Sequence, residues 1–251
     1  MICDNLKIFS QNIHKNSLIV NTILEAQSSF DIIFLQEPPW SIIHTIPSST
    51  SCEGEKLVGA PYHPNWLTFV RSLTNESDFP RVLTYINIWV SCLHFSLQNN
   101  IFNHRDVLCI SFINQGFSFF LINVYLDLSQ MALKYLKDTE TNISNIIIIT
   151  GDFNIKDSLW DFNFPFHSVH SDMLFDIADF FALAPSNLTE NFLTRFLNNN
   201  QNLNSVLDLV FTQPSSMEFN HHHIHLDWRL TSDHTLITVS IHINYKNIPI
   251  K

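Results

Sequence analysis

Short apolar runs rich in β-branched and aromatic residues recur along the whole chain: Leu6–Ser10, Asp31–Leu35, Val82–Val90, Val107–Phe112, Phe119–Tyr125, Ile146–Thr150, Val206–Phe211 and Leu236–Ile243. Runs of this length, bounded by polar and turn-forming residues, read as strands, so extensive sheet is expected. Helical patterns are fewer. Leu174, Ile177, Ala178 and Phe181 fall at i, i+3, i+4 and i+7, which predicts a helix over Asp172–Phe181 capped by Ser171 or Asp172. Ser17–Ala26 and Ser129–Lys137 are weaker helical segments. Helices set among two groups of strands give an α/β class in which two sheets pack face to face and helices cover the outside. A chain of 251 residues can bury one large two-sheet core, so a single domain over 1–251 is expected, with its core from about residue 6 to 243.

Composition narrows the class. Twenty-two phenylalanines imply a core built on aromatic packing. Cys3, Cys52, Cys92 and Cys109 have no Cys-x-x-Cys pairing and no regular spacing, which indicates neither a zinc ribbon nor a disulfide framework and suits a reducing compartment. Asp4 and Lys7 interrupt the first ten residues, so no signal peptide is read there. The apolar stretches fall far short of the roughly 20 residues that cross a bilayer, and a soluble protein with no membrane partner is expected. Asn75-Glu76-Ser77, Asn142-Ile143-Ser144 and Asn187-Leu188-Thr189 match glycosylation acceptors and are read as chance. The stretches Ser48–Ser51 and Asn198–Asn200 read as loops. A net charge of −10 excludes a passive nucleic-acid binder that works through a broad basic face. It leaves room for an enzyme that meets phosphate through a bound metal ion, because the ion inverts the local field.

Four strand-like runs end in polar clusters. These are Gln11-Asn12, Gln36-Glu37-Pro38, Gly151-Asp152-Phe153-Asn154, and Thr231-Ser232-Asp233-His234 before the last run. Glu37 or Asn12 alone would be ordinary loop residues, but Ile146–Ile149 is apolar enough to be buried on both faces and Gly151 permits a sharp exit that presents the next polar side chains. Metal-assisted phosphodiester cleavage needs a hard oxygen ligand, a group that orients or deprotonates water, and donors for the charged phosphorane. Glu37 supplies the first, Asp152 and Asn154 the second, and His234 the third. Asp208 interrupts the apolar run Ser205–Phe211, where a charge is costly without a partner, and pairing with His234 would remove that cost. The run His221-His222-His223-Ile224-His225 has no Cys or acidic partner at a zinc-site spacing and reads as a surface loop near the site rim. Trp228, after Asp227, reads as a packing residue, and Lys15, Lys156 and Arg229 lie close enough to these clusters to reach phosphates.

The order of these clusters, above all Gly-Asp-Phe-Asn at 151–154 followed by Ser-Asp-His at 232–234, resembles the endonuclease/exonuclease/phosphatase superfamily from about Leu6 to Ile243. Leu35-Gln36-Glu37-Pro38, Asn123-Val124-Tyr125, Leu159-Trp160-Asp161 and Ser205-Val206-Leu207-Asp208-Leu209 look like the endonucleases of non-LTR retrotransposons, fungal ones included. The resemblance implies a four-layer α/β sandwich of two mainly antiparallel sheets flanked by helices, and an endonuclease that nicks DNA to leave a 3′-hydroxyl. It implies Mg²⁺, or Mn²⁺ in its place, held by Glu37 with Asn12 and Asp233. Asp152 and Asn154 would handle the attacking water, Tyr125 the scissile phosphate, and Asp208 would orient His234. DNA is the implied substrate, a reverse-transcriptase region of a longer polyprotein the implied partner, and the nucleus the implied location. Two positions depart from the family pattern. His14 stands where repair-type members often carry an acid, and Leu126-Asp127-Leu128 replaces the Pro and Asn that often follow the tyrosine, so that Asp127 is expected to weaken DNA binding. The other readings carried are a different phosphohydrolase of the same fold, of repair, phosphoinositide or sphingolipid type, and a catalytically silent relic.

Overall fold

The apolar runs become strands because their buried side chains have two partners, the facing sheet and an outer helix. The computed structural model describes residues 5–26, 29–39, 44–47, 56–59, 61–71, 78–90, 94–114, 117–139, 143, 145–186, 193–196, 204–214, 221–225 and 232–242. Cys3, Cys52 and Cys92, the acceptor positions Asn75, Asn142 and Asn187, the stretches 48–51 and 198–200, and Asp227, Trp228, Arg229, Thr231 and Ile243 lie outside these residues. The elements run in the order β1 (Asn5–Asn12), α1 (Ser17–Ala26), β2 (Ile32–Gln36), β3 (His44–Pro47), β4 (Lys56–Gly59), β5 (Trp66–Phe69), β6 (Val82–Asn87), β7 (His94–Leu97), β8 (Val107–Asn114) and β9 (Phe117–Tyr125). They continue with α2 (Met131–Asp138), β10 (Ile146–Asp152), α3 (Val169–Phe180), β11 (Ala184–Pro185), β12 (Asp208–Thr212), β13 (His221–His225) and β14 (Leu236–His242).

One six-stranded sheet has the order β13-β14-β1-β2-β6-β5 and the other β11-β12-β10-β9-β8-β7, while β3 and β4 pair separately. Only β1 with β2 and β9 with β10 are parallel, and the remaining pairs are antiparallel. Leu6, Ile8, Ile32 and Phe34 from the first sheet meet Ile110, Phe112, Leu121 and Ile148 from the second in a shared core. The opposite face of the first sheet packs Phe9, Ile33 and Tyr85 on Ile19, Val20 and Ile23 of α1. The opposite face of the second packs Ile122, Ile149 and Phe211 on Leu133 of α2 and on Leu174 and Ile177 of α3. The layers are therefore helix, sheet, sheet, helices, as the resemblance implies. Several phenylalanines serve this core, Phe112 and Phe119 stacking at 5.0 Å, and each fully buried ring contributes about 1.5–3 kcal/mol of transfer free energy.

Some boundaries differ from expectation. The strand expected over Val82–Val90 stops at Asn87, whose Oδ1 accepts the Trp89 N–H at 3.1 Å and turns Ile88–Val90 into a 3₁₀ segment. Helix α3 starts three residues earlier than expected, because the Ser168 hydroxyl, not Ser171 or Asp172, accepts the His170 N–H at 3.2 Å. Helix α2 starts at Met131, since Asp127 takes the Ser129 N–H and hydroxyl into a turn first. The histidine run expected as a loop is strand β13, paired along the edge of β14 from His221 opposite Ser240 to His225 opposite Leu236. The open edge of β14 offers backbone hydrogen bonds that a run of histidines can take up as readily as any other sequence. Among the described residues no helix is long and apolar enough to cross a membrane.

Candidate active site

Strand direction brings the polar clusters to one rim. β1 and β2 run parallel and deliver Asn12 and Glu37 at their C-terminal ends, while antiparallel β14 starts at that same end just after His234. In the facing sheet, β9 and β10 run parallel and pair Tyr125 with Asp152, and antiparallel β12 starts with Asp208 directly opposite Asp152. Below this rim a buried amide bridge joins the two sheets. Gln36 Nε2 donates to Asn123 Oδ1 at 2.7 Å, and Asn123 Nδ2 donates to Leu83 O at 3.1 Å. Gln36 and Asn123, part of the motifs that carry the family resemblance, thus hold the sheets in register under the site.

All eight candidate residues lie in or beside one hydrogen-bonded network. Asn12 Nδ2 donates to Asp152 Oδ2 at 2.7 Å and to Glu37 Oε2 at 3.2 Å, and its Oδ1 accepts the His14 N–H at 2.8 Å. Asp152 accepts the Asn154 N–H at 3.0 Å and its side-chain amide at 3.2 Å, and Asn154 also donates to Leu126 O at 2.7 Å. His234 Nδ1 is 2.9 Å from Asp208 Oδ2, while Nε2 faces Asp152 Oδ2 at 3.7 Å. The charge of Glu37 acts on the Tyr125 phenol. Asp233 accepts from Arg195 Nε at 2.9 Å, and His14 Nδ1 stands 3.7 Å from Glu37 and 3.9 Å from Asp233. Local backbone strain gathers here: His14, Lys15, Glu37 and Asn154 have φ of 45, 59, 49 and 47°. Such left-handed residues cost about 1–3 kcal/mol each and persist where the surroundings over-determine them.

Electrostatics follow from burial. Asp152 is fully buried, which lifts its carboxyl to about 7, the His234 charge pulling the other way and Asp208 adding to the rise. Burial opposes protonation of His234, but Asp208, Asp152 and Asp233 outweigh it and raise the imidazole to about 9. Burial, then the Glu37 charge, pushes the Tyr125 phenol well above its ordinary range. Burial works against the charge of Asp233, yet His234 and Arg195 leave its carboxyl below the usual range.

Two groups of metal-ligating side chains result. Among the described residues, Asp152, Asp208 and His234 bring ligand atoms within 4.8 Å of one another. Both ring nitrogens of His234 are turned to carboxylates there, one of them in a hydrogen bond, so this trio is a relay first. Glu37, Asn12 and Asp233, the expected metal ligands, make a looser second group, Asn12 donating to Glu37 while His14 stands between Glu37 and Asp233. Among the described residues Asp233 Oδ1 is buried with no hydrogen-bond partner, and carboxylate oxygens such as this one and those of Glu37 suit a hard divalent ion. The residues present therefore fit such an ion.

Three supporting residues carry no signal that the sequence reading used. Thr194 Oγ1 accepts the N–H groups of Leu207 and Asp208 at 2.9 and 3.0 Å, fixing the backbone that aims Asp208. Arg195 pairs with Asp233, and Arg81 lies against Tyr125 with its guanidinium 5.0 Å from the ring centroid. Each is a lone residue outside any apolar pattern, and only its three-dimensional neighbours reveal it. Asp161, from the Leu-Trp-Asp motif, is buried and accepts the Val206 N–H at 3.2 Å, just ahead of Asp208. Lys156 lines a groove of about 400 Å³ next to the site together with Asn154, Phe166, His167, His170 and Arg195.

A family model described as endonuclease-reverse transcriptase matches residues 119–238. No curated protein matches the chain in sequence. In structure, the chain is similar to the endonuclease domain of TRAS1, a telomere-specific non-LTR retrotransposon, with a TM-score of 0.64 and 15% identity over 95% of this chain and 98% of that one. It is also similar to the AP endonuclease LMAP from Leishmania major, with a TM-score of 0.66 and 13% identity over 96% and 89% of the two chains. A humanized D. rerio TDP2 matches with a TM-score of 0.53 and 14% identity over 96% of this chain and all of that one.

Proposed function

We propose that this chain is a member of the endonuclease/exonuclease/phosphatase superfamily and a divalent-metal-dependent DNA endonuclease which nicks one strand and leaves a 3′-hydroxyl, a reading supported by the matching family model and the structural likenesses. The observation that carries this reading is the chain of hydrogen bonds from Glu37 through Asn12 to Asp152, with His234 facing Asp152 at 3.7 Å and bonded to Asp208, which sets an acid, a base and a hard ligand side by side.

In this reading Asp152 accepts a hydrogen bond from a water molecule and takes its proton, a task for which a carboxyl lifted to about 7 is matched near neutral pH. Asn154, held on Asp152 and Leu126, fixes the approach of that water in line with the scissile bond. The water oxygen bonds to phosphorus as the bond to the 3′-oxygen breaks, and the departing oxygen takes a proton from solvent to become the 3′-hydroxyl. His234 donates to a non-bridging phosphate oxygen, with Asp208 on Nδ1 setting the tautomer, and the Tyr125 hydroxyl donates to the same phosphate. Glu37, with Asn12 and Asp233, would hold Mg²⁺ or Mn²⁺, which when bound offsets negative charge on the phosphate and the departing oxygen. The groove lined by Lys156 and Arg195 supports an anionic strand as substrate, since it sets two cations beside the site of a chain whose net charge is −10. The retrotransposon role, with a reverse-transcriptase region of a longer polyprotein as partner and the nucleus as working place, is supported by the description of the matching family model and by the TRAS1 likeness.

Nicking of supercoiled plasmid, with Mg²⁺, with EDTA and with Glu37→Ala, tests the proposal. Metal-dependent nicks that a polymerase can extend, lost in the variant, are the expected result. A folded protein that leaves plasmid intact would sink the DNA reading and turn attention to another phosphoester.

A further inference from the structure

Arg81 directly precedes β6 and touches both sides of the site. Its carbonyl oxygen accepts the Glu37 N–H at 2.9 Å, while its own N–H donates to Arg105 O at 2.7 Å. Its guanidinium makes two hydrogen bonds to the carboxylate of Asp106, which is buried, and a third to Asp127 Oδ2 at 2.9 Å. The backbone carbonyl of Asp106 in turn accepts the Tyr125 N–H at 3.0 Å, and the guanidinium covers the Tyr125 ring. The loop closes on itself: Arg81 holds Asp106, Asp106 holds the Tyr125 backbone, and Arg81 holds the Tyr125 ring.

We propose that Arg81 is a positioning residue of this active site: it fixes the Tyr125 phenol against Glu37 and neutralises Asp127 so that a phosphodiester can approach. The catalytic part of the proposal rests on the endonuclease reading. Arg81 is not itself a phosphate clamp, because its planar fork is engaged by two carboxylates and its side chain is only 15% exposed. A lysine could reach one of these acceptors and could not stack flat on the ring. The arrangement also answers the expectation that Asp127 repels DNA: Arg81 pairs with it directly, and Arg105 adds a second cation at 3.9 Å.

The test uses the intact protein with Arg81→Met, Arg81→Lys, and Arg81→Met combined with Asp127→Asn. Three quantities are read: thermal unfolding, the rate at which N-acetylimidazole labels Tyr125 in peptide maps, and kcat and KM on a DNA duplex. With Arg81→Met, Tyr125 should be labelled about fivefold faster or more as its cover is lost. The kcat should fall about tenfold or more as the phenol drifts, and KM should rise. Adding Asp127→Asn should restore KM and leave kcat low, a split that general destabilisation does not produce. Arg81→Lys should fall between wild type and Arg81→Met on every reading, and it decides the question if Arg81→Met does not fold. Folded variants with unchanged Tyr125 labelling overturn the proposal, whatever happens to kcat. A wild-type protein that cuts no DNA counts against the endonuclease reading alone, and the labelling comparison still decides the role of Arg81.

Discussion

Gly151→Ala should force apart the two strands that carry Tyr125 and Asp152. Gly151 has φ of +152°, and a β-carbon built there would lie 1.8 Å from Val124 O and 2.8 Å from Val124 C, both backbone atoms that cannot rotate away. Ordinary contacts need about 3.5 Å, so β9 and β10 must separate locally by roughly 1.5 Å. The cost combines overpacking with a backbone conformation that alanine resists, about 3–5 kcal/mol in all. The Gly151–Val124 pair directly precedes the Asp152–Tyr125 pair in the register, so the displacement reaches the proposed base and the phosphate contact together. A misplacement of about 1 Å lowers turnover by about 100-fold. Urea unfolding followed by circular dichroism reads the first effect, and plasmid nicking below the unfolding transition reads the second. A variant within about 1 kcal/mol of wild type that nicks at the wild-type rate would refute the close approach from which both figures come.

Thr194→Val keeps the shape and removes the acceptor for two buried N–H groups, so it should cost about 2–4 kcal/mol in chemical denaturation, and an unchanged midpoint contradicts the assignment. Asp208→Asn removes the nearest charge that raises His234 and should slow nicking by about 10²–10⁴ with a smaller change in KM, whereas full activity would remove Asp208 from the site. His167 is held by a hydrogen bond to Asp172 and an ion pair with Asp157, which raise its pKa above the ordinary histidine value. A raised folded value means that its stabilising contribution is complete below the unfolded midpoint and is lost as pH rises through the folded one. Ring titration by NMR should therefore place His167 above a free histidine and move it down in Asp172→Asn, and a wild-type midpoint at or below the free value would contradict the pairing.

What could be read from the sequence was whatever depends on local pattern. The long strands follow from runs such as Ile146–Ile149 and Leu236–Val239, whose apolar side chains have no stable place outside a core. Helix α1 falls on Ser17–Ala26 as expected, its buried Ile19, Val20, Ile23 and Leu24 forming one stripe. Strands β3, β4, β5, β7 and β11 span four residues or fewer, too short for alternation to stand out, and pairing with neighbours defines them. The same division holds at the site. Glu37, Asp152 and His234 were visible because each ends or starts an apolar run, and Asp208 because it is a charge inside one. Arg81 and Thr194 act through partners more than ten residues away, a relation that neither composition nor periodicity encodes.

The adjacency of β1 and β14 sets when the proposed site can be completed. The Ser232 hydroxyl donates to Asn12 O at 2.7 Å and Gln11 Nε2 to His234 O at 3.1 Å, across sequence separations of 220 and 223 residues. A ribosome emits Glu37 and Asp152 long before His234, and until β14 docks, β1 keeps an open edge and Asp152 faces no imidazole. The growing polypeptide therefore holds nearly all of its chemistry in an inert form. Docking of β14 completes the proposed site, and a product cut short before Ser232 would lack the imidazole that the proposed mechanism needs while exposing a sticky sheet edge for quality control to find.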